Sequence, residues 1–324
     1  MTTTDDARNN PRGVAIIGDP GRAAIAVPEG LPPTEAWPPD IAASEYAVGG
    51  ITIRAASLRG VQHRHQRPGH QSAPRQDAFG IGSSADRRVI VAMVCDGVGD
   101  LDYSHEAANH VCNSLPWKIL QGLGWQDAIF EVNNELVAMA NSRKGDVAVG
   151  KGTMATTMMS ATISYEASGY NVHLAWVGDS EAWSLDDNGA WVKLAPVEGR
   201  RLDTGITTGR TSALPSSAPT LTERDIFLTS GRIILMSDGV GTPLMMNTDI
   251  QETLGEWWKS PPNPFMFAAQ VGFARMSFMD DRTAVGIWLT EAEKVGEETP
   301  YQDASAPADS SQNSTTEASQ CLRP

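Results

Sequence analysis

Two apolar runs in this chain end in Asp-Gly: V-I-V-A-M-V-C-D-G places a carboxylate at Asp96, and R-I-I-L-M-S-D-G places one at Asp238. Each run has the length of a single buried strand, so each delivers its carboxylate where that strand must stop. Asp-Gly after an apolar run is usually a tight turn, yet both runs lead into helical patterns and not into a returning strand. A further strand-like run, N-V-H-L-A-W-V, is followed by Gly178 and Asp179, while Asp77 lies in R-Q-D-A-F-G and Asp280-Asp281 precede T-A-V-G-I-W-L. Carboxylates on rigid strand ends, with few basic neighbours, are the donor type that hard divalent cations prefer.

The composition allows a full core around such a site. In 324 residues, 41% are hydrophobic and 20% charged, as in ordinary globular proteins. A net charge of -14 argues against nucleic acid or anionic membrane as partner, because both recruit Lys and Arg. The three cysteines, Cys95, Cys112 and Cys321, show no C-x-x-C spacing, so neither a zinc site nor a disulfide framework is indicated. Reduced thiols, no membrane-length apolar stretch and a polar Met1–Pro11 segment together place the expected protein in the cytoplasm.

Residues 1–47 are rich in Pro, Ala, Gly, Asp and Thr and read as a flexible segment, and 291–324 as a disordered acidic tail. The folded body is expected at 48–290. Within it, 51–58, F-G-I-G, 89–95, 155–165, 170–177, 182–185, 232–237 and 283–289 read as strands. Residues 103–121, 125–142, 248–259 and 264–277 read as helices, the second by its apolar spacing at Trp125, Ile129, Val132, Leu136 and Met139. Asn188-Gly189 signals a hairpin, since a type I′ turn needs positive φ at both central positions. The polar stretch 198–225 reads as a mobile excursion. Blocks of strands followed by blocks of helices predict an α+β fold: two packed, mainly antiparallel sheets with helices outside.

Other chemistries fail on their own motifs. Val98 follows Gly97, so the second Asp of a D-x-D aspartyl phosphatase is missing, and no Walker loop, Rossmann fingerprint or G-x-S-x-G elbow occurs. The blocks R-Q-D-A-F-G (75–80), V-C-D-G-V-G (94–99), G-T-M-A-T-T (152–157), V-G-D-S-E (177–181), M-S-D-G-V (236–240) and M-D-D-R-T (279–283) instead resemble, in order and separation, the metal-dependent serine/threonine protein phosphatases of the type 2C family. That resemblance implies a four-layer αββα sandwich and two Mn²⁺ or Mg²⁺ ions, with a third, weaker one in many relatives. By position it implies metal ligation by Asp96 and the Gly97 carbonyl, by Asp238 and Asp280, by Asp77 directly or through water, and by Asp179 at the third ion. It also implies a metal-activated water that attacks a phosphoserine or phosphothreonine phosphorus in line. The partners implied are a phosphorylated protein and the kinase pathway that modifies it.

The chain departs from the family pattern at substrate recognition. His63 stands where relatives carry a phosphate-binding Arg in S-x-x-G-x-x-R, and Arg75 is a second candidate for that contact. Val98 replaces a His that acts as general acid in some relatives, leaving the proton donor unassigned. Glu181 replaces the usual Arg of G-D-S-R, reversing the local charge. A catalytically weak or inactive regulatory domain, and a phosphatase of small phosphorylated metabolites, are therefore the alternative expectations.

Overall fold

The computed structural model describes residues 15–19, 37–64, 73–99, 101–196, 212–276 and 278–291. The expected tail at 291–324 therefore falls, beyond its first residue, outside the described residues. Among the described residues, no helix is long and apolar enough to cross a membrane.

The strands are β1 (Ile41–Val48), β2 (Ile51–Leu58), β3 (Ala78–Ser83), β4 (Val89–Cys95), β5 (Met158–Glu166), β6 (Gly169–Val177), β7 (Glu181–Leu185), β8 (Trp191–Ala195), β9 (Thr222–Leu228), β10 (Gly231–Met236) and β11 (Arg282–Leu289). The helices are α1 (Val61–Arg64), α2 (Ser104–Leu120), α3 (Trp125–Ser142), α4 (Asp238–Met246), α5 (Thr248–Trp257) and α6 (Pro264–Val271). One sheet has six strands in the order β1-β2-β11-β10-β7-β8, and the other has five in the order β3-β4-β5-β6-β9. All strand pairs within them are antiparallel.

The period-2 alternation of the strands sorts the core into three apolar layers. Ile53, Ala55, Ile233, Leu235, Val285 and Ile287 of one sheet meet Ile90, Ala92, Val94, Ile163, Val172 and Leu174 of the other. The opposite face of the six-stranded sheet packs Ala56, Ile234 and Trp288 against Leu244, Leu254, Trp258 and Phe267. The opposite face of the five-stranded sheet packs Met93, Cys95 and Met158 against Val111, Leu115, Ile129, Val132 and Leu136 of α2 and α3. Strands covered on both faces have no polar side, which explains why β4 and β11 read as unbroken apolar runs. The result is the αββα sandwich expected from the order of elements.

Several boundaries differ from expectation. The folded body begins before residue 48, because β1 pairs along its whole length with β2, from Ile41↔Leu58 to Val48↔Ile51. As an edge strand it alternates exposed and half-buried positions and has no fully buried residue, so its apolar signal is weak. The Gly49-Gly50 turn, with Gly49 at φ +51, is the mark that could have revealed it. Earlier still, Ile16 bridges Ala274. Within the supposed excursion 198–225, another edge strand, β9, begins at Thr222, and its first four residues are exposed. Residues 197–211 lie outside the described residues. The helix expected at 264–277 stops at Val271, with Gly272 as its C-terminal cap.

Candidate metal centre

The strand registers decide which loops meet. Ala78↔Cys95 sets Asp77, just before β3, beside Asp96, just after β4. Met236↔Ala284 sets Asp238, the first residue of α4, beside the Asp280-Asp281 loop. Glu181↔Met236 brings the β6–β7 loop, with Asp179, to the same edge. The Asp-bearing ends thus gather where the two sheets terminate together.

These carboxylates sense one another strongly. Asp77 is buried and its pKa is pushed up to about 8, first by burial and then by the charge of Asp281. Burial, followed by the charges of Asp77, Asp238 and Asp280, raises Asp96 well above the usual carboxylate range. Asp238 is raised to about 6 by burial and then by Asp280. It reaches solvent, yet protein groups crowd it enough for burial to be the leading cause. Asp280 is raised by burial and by Asp281. Asp96 and Asp238 lie close enough that each figures in the other's shift. The electrostatic demand of the site is for positive charge.

Does the donor set fit a divalent cation? Among the described residues, no three Asp, Glu, His or Cys side chains stand in ready-made ligating geometry. The Asp77 Oδ2 atom, however, is buried with no hydrogen-bond partner. A desolvated carboxylate oxygen with no partner is costly unless a proton or a cation compensates it. All-oxygen donors suit Mn²⁺ or Mg²⁺, and a cation would offset the mutual repulsion of these carboxylates. The residues fit the group.

The loop carrying Asp96 is held from outside the cluster. Thr157 N–H donates to the Asp96 carbonyl at 2.8 Å, and Thr156 Oγ1 does so at 3.0 Å. Val98 N–H donates to the Ala155 carbonyl at 2.9 Å. Residues 155–157, expected to begin a strand, therefore wrap the Asp96 loop, and β5 starts at Met158. Because these bonds use the groups flanking Gly97 in its bridge with Thr156, Gly97's own C=O points off that ladder. A Cβ at Gly97 would lie 2.7 Å from the Gln76 carbonyl, so only glycine permits this approach. Ser237 occupies the N-cap of α4 but makes no capping bond. Its hydroxyl accepts from Thr283 N–H at 3.1 Å and, set beside Asp77, partly offsets the rise in that carboxyl's pKa.

Asp281, absent from the sequence-based candidates, is the structural hub of this edge. It is 2% exposed and accepts from Gly60 N–H and Gln76 N–H, both at 2.6 Å. His63 Nδ1 lies 2.9 Å from Asp281 Oδ1, close enough for an ion pair but too poorly aligned for a hydrogen bond. Burial raises the Asp281 pKa, but His63 and the two backbone donors outweigh it, and the net shift is downward. Burial lowers the His63 pKa, but Asp281, Asp280 and Asp77 outweigh it and raise it. The doubled Asp in M-D-D-R-T was the one available signal, and spacing alone could not apportion the two roles. Asp281→Ala should cost about 3–5 kcal/mol of stability by stranding buried donors and the His63 charge. A denaturation midpoint indistinguishable from the native one would refute that role.

Of the two predicted phosphate contacts, Arg75 is turned into the protein. Arg75 is buried, donating to Ser57 Oγ, to the Asp77 carbonyl at 2.5 Å and to the Pro39 carbonyl at 3.0 Å. Those bonds tie β2 to the segment before β3, so Arg75 braces the site and does not offer its charge to a substrate. His63 lies buried in α1, and its Nε2 has no hydrogen-bond partner among the described residues. The charge reversal at Glu181 is absorbed locally, by Lys193 Nζ at 2.5 Å and Trp183 Nε1 at 2.7 Å.

Comparison with known proteins agrees with this geometry. A profile of the protein phosphatase 2C family matches residues 59–269, more than half of the chain. A bacterial serine phosphatase of known structure shares 18% identity at a TM-score of 0.52, covering 74% of this chain and 98% of its own. The serine/threonine phosphatase Stp1 from Staphylococcus aureus shares 18% at 0.51, covering 74% of this chain and 94% of its own. The catalytic domain of the serine/threonine protein phosphatase PstP, solved with two manganese ions, shares 22% at 0.50, covering 74% and 98%. A search of curated proteins returned no match. Matching motifs, sandwich and clustered aspartates converge on one assignment: the chain belongs to the protein phosphatase 2C family.

Proposed function

We propose that this protein is a Mn²⁺- or Mg²⁺-dependent phosphatase that hydrolyses phosphoserine and phosphothreonine in proteins, within a cytoplasmic pathway that also contains the kinase. The observation that carries the reading is the gathering of Asp77, Asp96, Asp238 and Asp280 from separate strand ends, with one buried oxygen of Asp77 unpartnered. Asp96, the Gly97 carbonyl, Asp238 and Asp280 would hold the ions. Asp77 would hold them directly or through water, and Asp179, exposed at the rim, would serve a third, weaker ion. Bound divalent cations supply the activated water and the positive charge that phosphoryl transfer to water needs.

The rest is done by the protein's own groups. Asp238 and Asp179 reach solvent, so the cluster is open to a phosphorylated side chain from one direction. His63, whose pKa the neighbouring carboxylates raise against the effect of burial, adds positive charge when protonated on the side where the family's Arg is missing, and its unpartnered Nε2 can then donate to a phosphoryl oxygen. Asp281 positions His63 and, through Gly60 and Gln76, the two loops that flank it.

The test is hydrolysis of a phosphothreonine peptide with Mn²⁺, repeated with chelator and set against small phosphate esters. Turnover that needs metal and favours the peptide supports the reading, while turnover indifferent to chelator sinks it. A second reading, a non-catalytic phosphoprotein-binding relative, draws on the substitution of His63 for Arg and the burial of Arg75. Metal and phosphopeptide binding without turnover would favour it.

A further inference from the structure

The segment A-I-I-G-D (15–19) lies in a stretch whose composition reads as flexible, yet it is built into the fold. Ile16 forms a parallel bridge with Ala274. Ala274 N–H donates to the Ala15 carbonyl at 2.7 Å, Ile17 N–H to the Ala274 carbonyl at 3.3 Å and Met276 N–H to the Asp19 carbonyl at 2.9 Å. Ile17 is 3% exposed and belongs to the apolar layer that holds Phe267, Val271 and Phe273. Arg275 locks the crossing, since its Nη1 donates to the Ile17 carbonyl at 3.1 Å and its Nη2 to Asp249 Oδ2 at 3.2 Å. Gly18, at φ +64, leaves room for that guanidinium, with which a Cβ would collide. We propose that residues 15–19 form a strap that positions the loop carrying Asp280, so that cation affinity at the metal centre depends on this N-terminal segment.

The strapped segment runs straight into the metal centre. Helix α6 ends at Val271 and β11 starts at Arg282, so the loop between them lies outside the helices and both sheets. Its backbone groups must find partners elsewhere. At the Asp280 end they do so within the site: Gln62 N–H donates to the Met279 carbonyl at 2.9 Å, and Gly60 N–H to Asp281 Oδ1 at 2.6 Å. Arg282 joins the two ends of the loop. Its guanidinium stacks 4.0 Å from the Phe273 ring centroid, and its Nη2 donates to the Phe278 carbonyl at 2.8 Å. A displacement at 273–276 is thereby passed to the residues on either side of Asp280.

Release of the strap takes the partners of Ala274 and Met276 together with the Ile17 side chain. Among the described residues, the 274–276 backbone then keeps one bond, from Phe278 N–H to the Arg275 carbonyl at 3.2 Å. A cation that must order its own ligand loop binds less tightly than one that meets a loop already held. The dependence of cation affinity rests on the phosphatase reading; the hold of the strap on the loop does not.

Backbone amide exchange of the full chain in chelator, followed residue by residue, tests the strap without metal. Native Ala274 and Met276 are expected to be protected. Ile17→Ser should speed exchange at least about tenfold (about 1.4 kcal/mol) at Ala274, Met276 and Gln62, while β4 keeps its native rates and Ile17→Val changes nothing. Equal acceleration in β4 marks a merely structural role and overturns the proposal. So does a Gln62 amide that keeps its rate when Ala274 and Met276 lose theirs. Calorimetric Mn²⁺ affinity should fall at least about tenfold in Ile17→Ser, and native affinity in a variant whose loop exchanges fast also overturns it. Should Ile17→Ser fail to fold, Gly18→Val serves in its place. The native protein gives a further test, because coupling is reciprocal: saturating Mg²⁺ should slow exchange at Ala274 and Met276 by a like factor, and no slowing refutes the coupling. Absence of any cation binding by the native protein ends the phosphatase reading, while exchange in chelator still decides whether the strap holds the loop.

Discussion

Asp96→Ala is expected to lower Mn²⁺-dependent hydrolysis of a phosphothreonine peptide by about 10²–10³-fold or more, the effect of deleting one preorganised electrostatic element. The same variant should not be less stable than the native protein in chelator. Asp96 is raised by burial and by Asp77, Asp238, Asp280 and Asp179, so its removal relieves repulsion in a cluster that lacks its counter-charge. Its loop is held through backbone groups by Thr156 and Thr157, which the substitution leaves in place. Loss of activity with retained metal-free stability is the signature of a group placed for function at a cost in stability. An Asp96→Ala protein with native turnover, or one that loses both activity and fold, would contradict the assignment.

In chelator, the native protein should lose stability as pH rises from about 4 to about 9, and added Mn²⁺ or Mg²⁺ should flatten that slope. The sign follows from Asp77, whose folded pKa of about 8 lies above its ordinary value of 3.8. A group raised in the folded state holds its proton there while the unfolded chain has lost it. Its contribution is therefore full below the unfolded pKa and gone once pH passes the folded one. For buried Asp77 the slope is up to about 1.4 kcal/mol per pH unit across that window. Asp238, raised to about 6, acts in the same direction over a narrower range and adds less, because it reaches solvent. His63, raised by Asp281, also loses its contribution as pH rises. Asp281, lowered, matters only in acid, below this window. Thermal melts from pH 4 to 9 with and without Mn²⁺ check the claim. A metal-free profile that is flat or rising across this range would end it.

The edges of the fold were harder to read than its centre, for a physical reason. Central strands such as β4 and β11 are covered on both faces, so their apolar runs stand out in the sequence. Edge strands β1 and β9 have solvent on one side and carry residues such as Ser44, Glu45, Glu223 and Asp225, so they resemble loops. Among site residues, Asp96 and Asp238 were legible because each ends an apolar run. Arg75 and Asp281 were not, since neither its position in a motif nor its charge tells whether a side chain turns to substrate or into the protein. Both turn inward, and both brace the segment before β3.

The amino-acid order determined the strands, the carboxylates that close them and the glycine that lets Gln76 lie against Gly97, because these depend on local periodicity and on steric limits. Only the tertiary structure decided which carboxylates share a field and which arginine is spent on backbone carbonyls. Those outcomes depend on antiparallel registers that join residues 200 or more positions apart, as Gln76 and Asp281 show, and on burial, which sets how strongly their charges act.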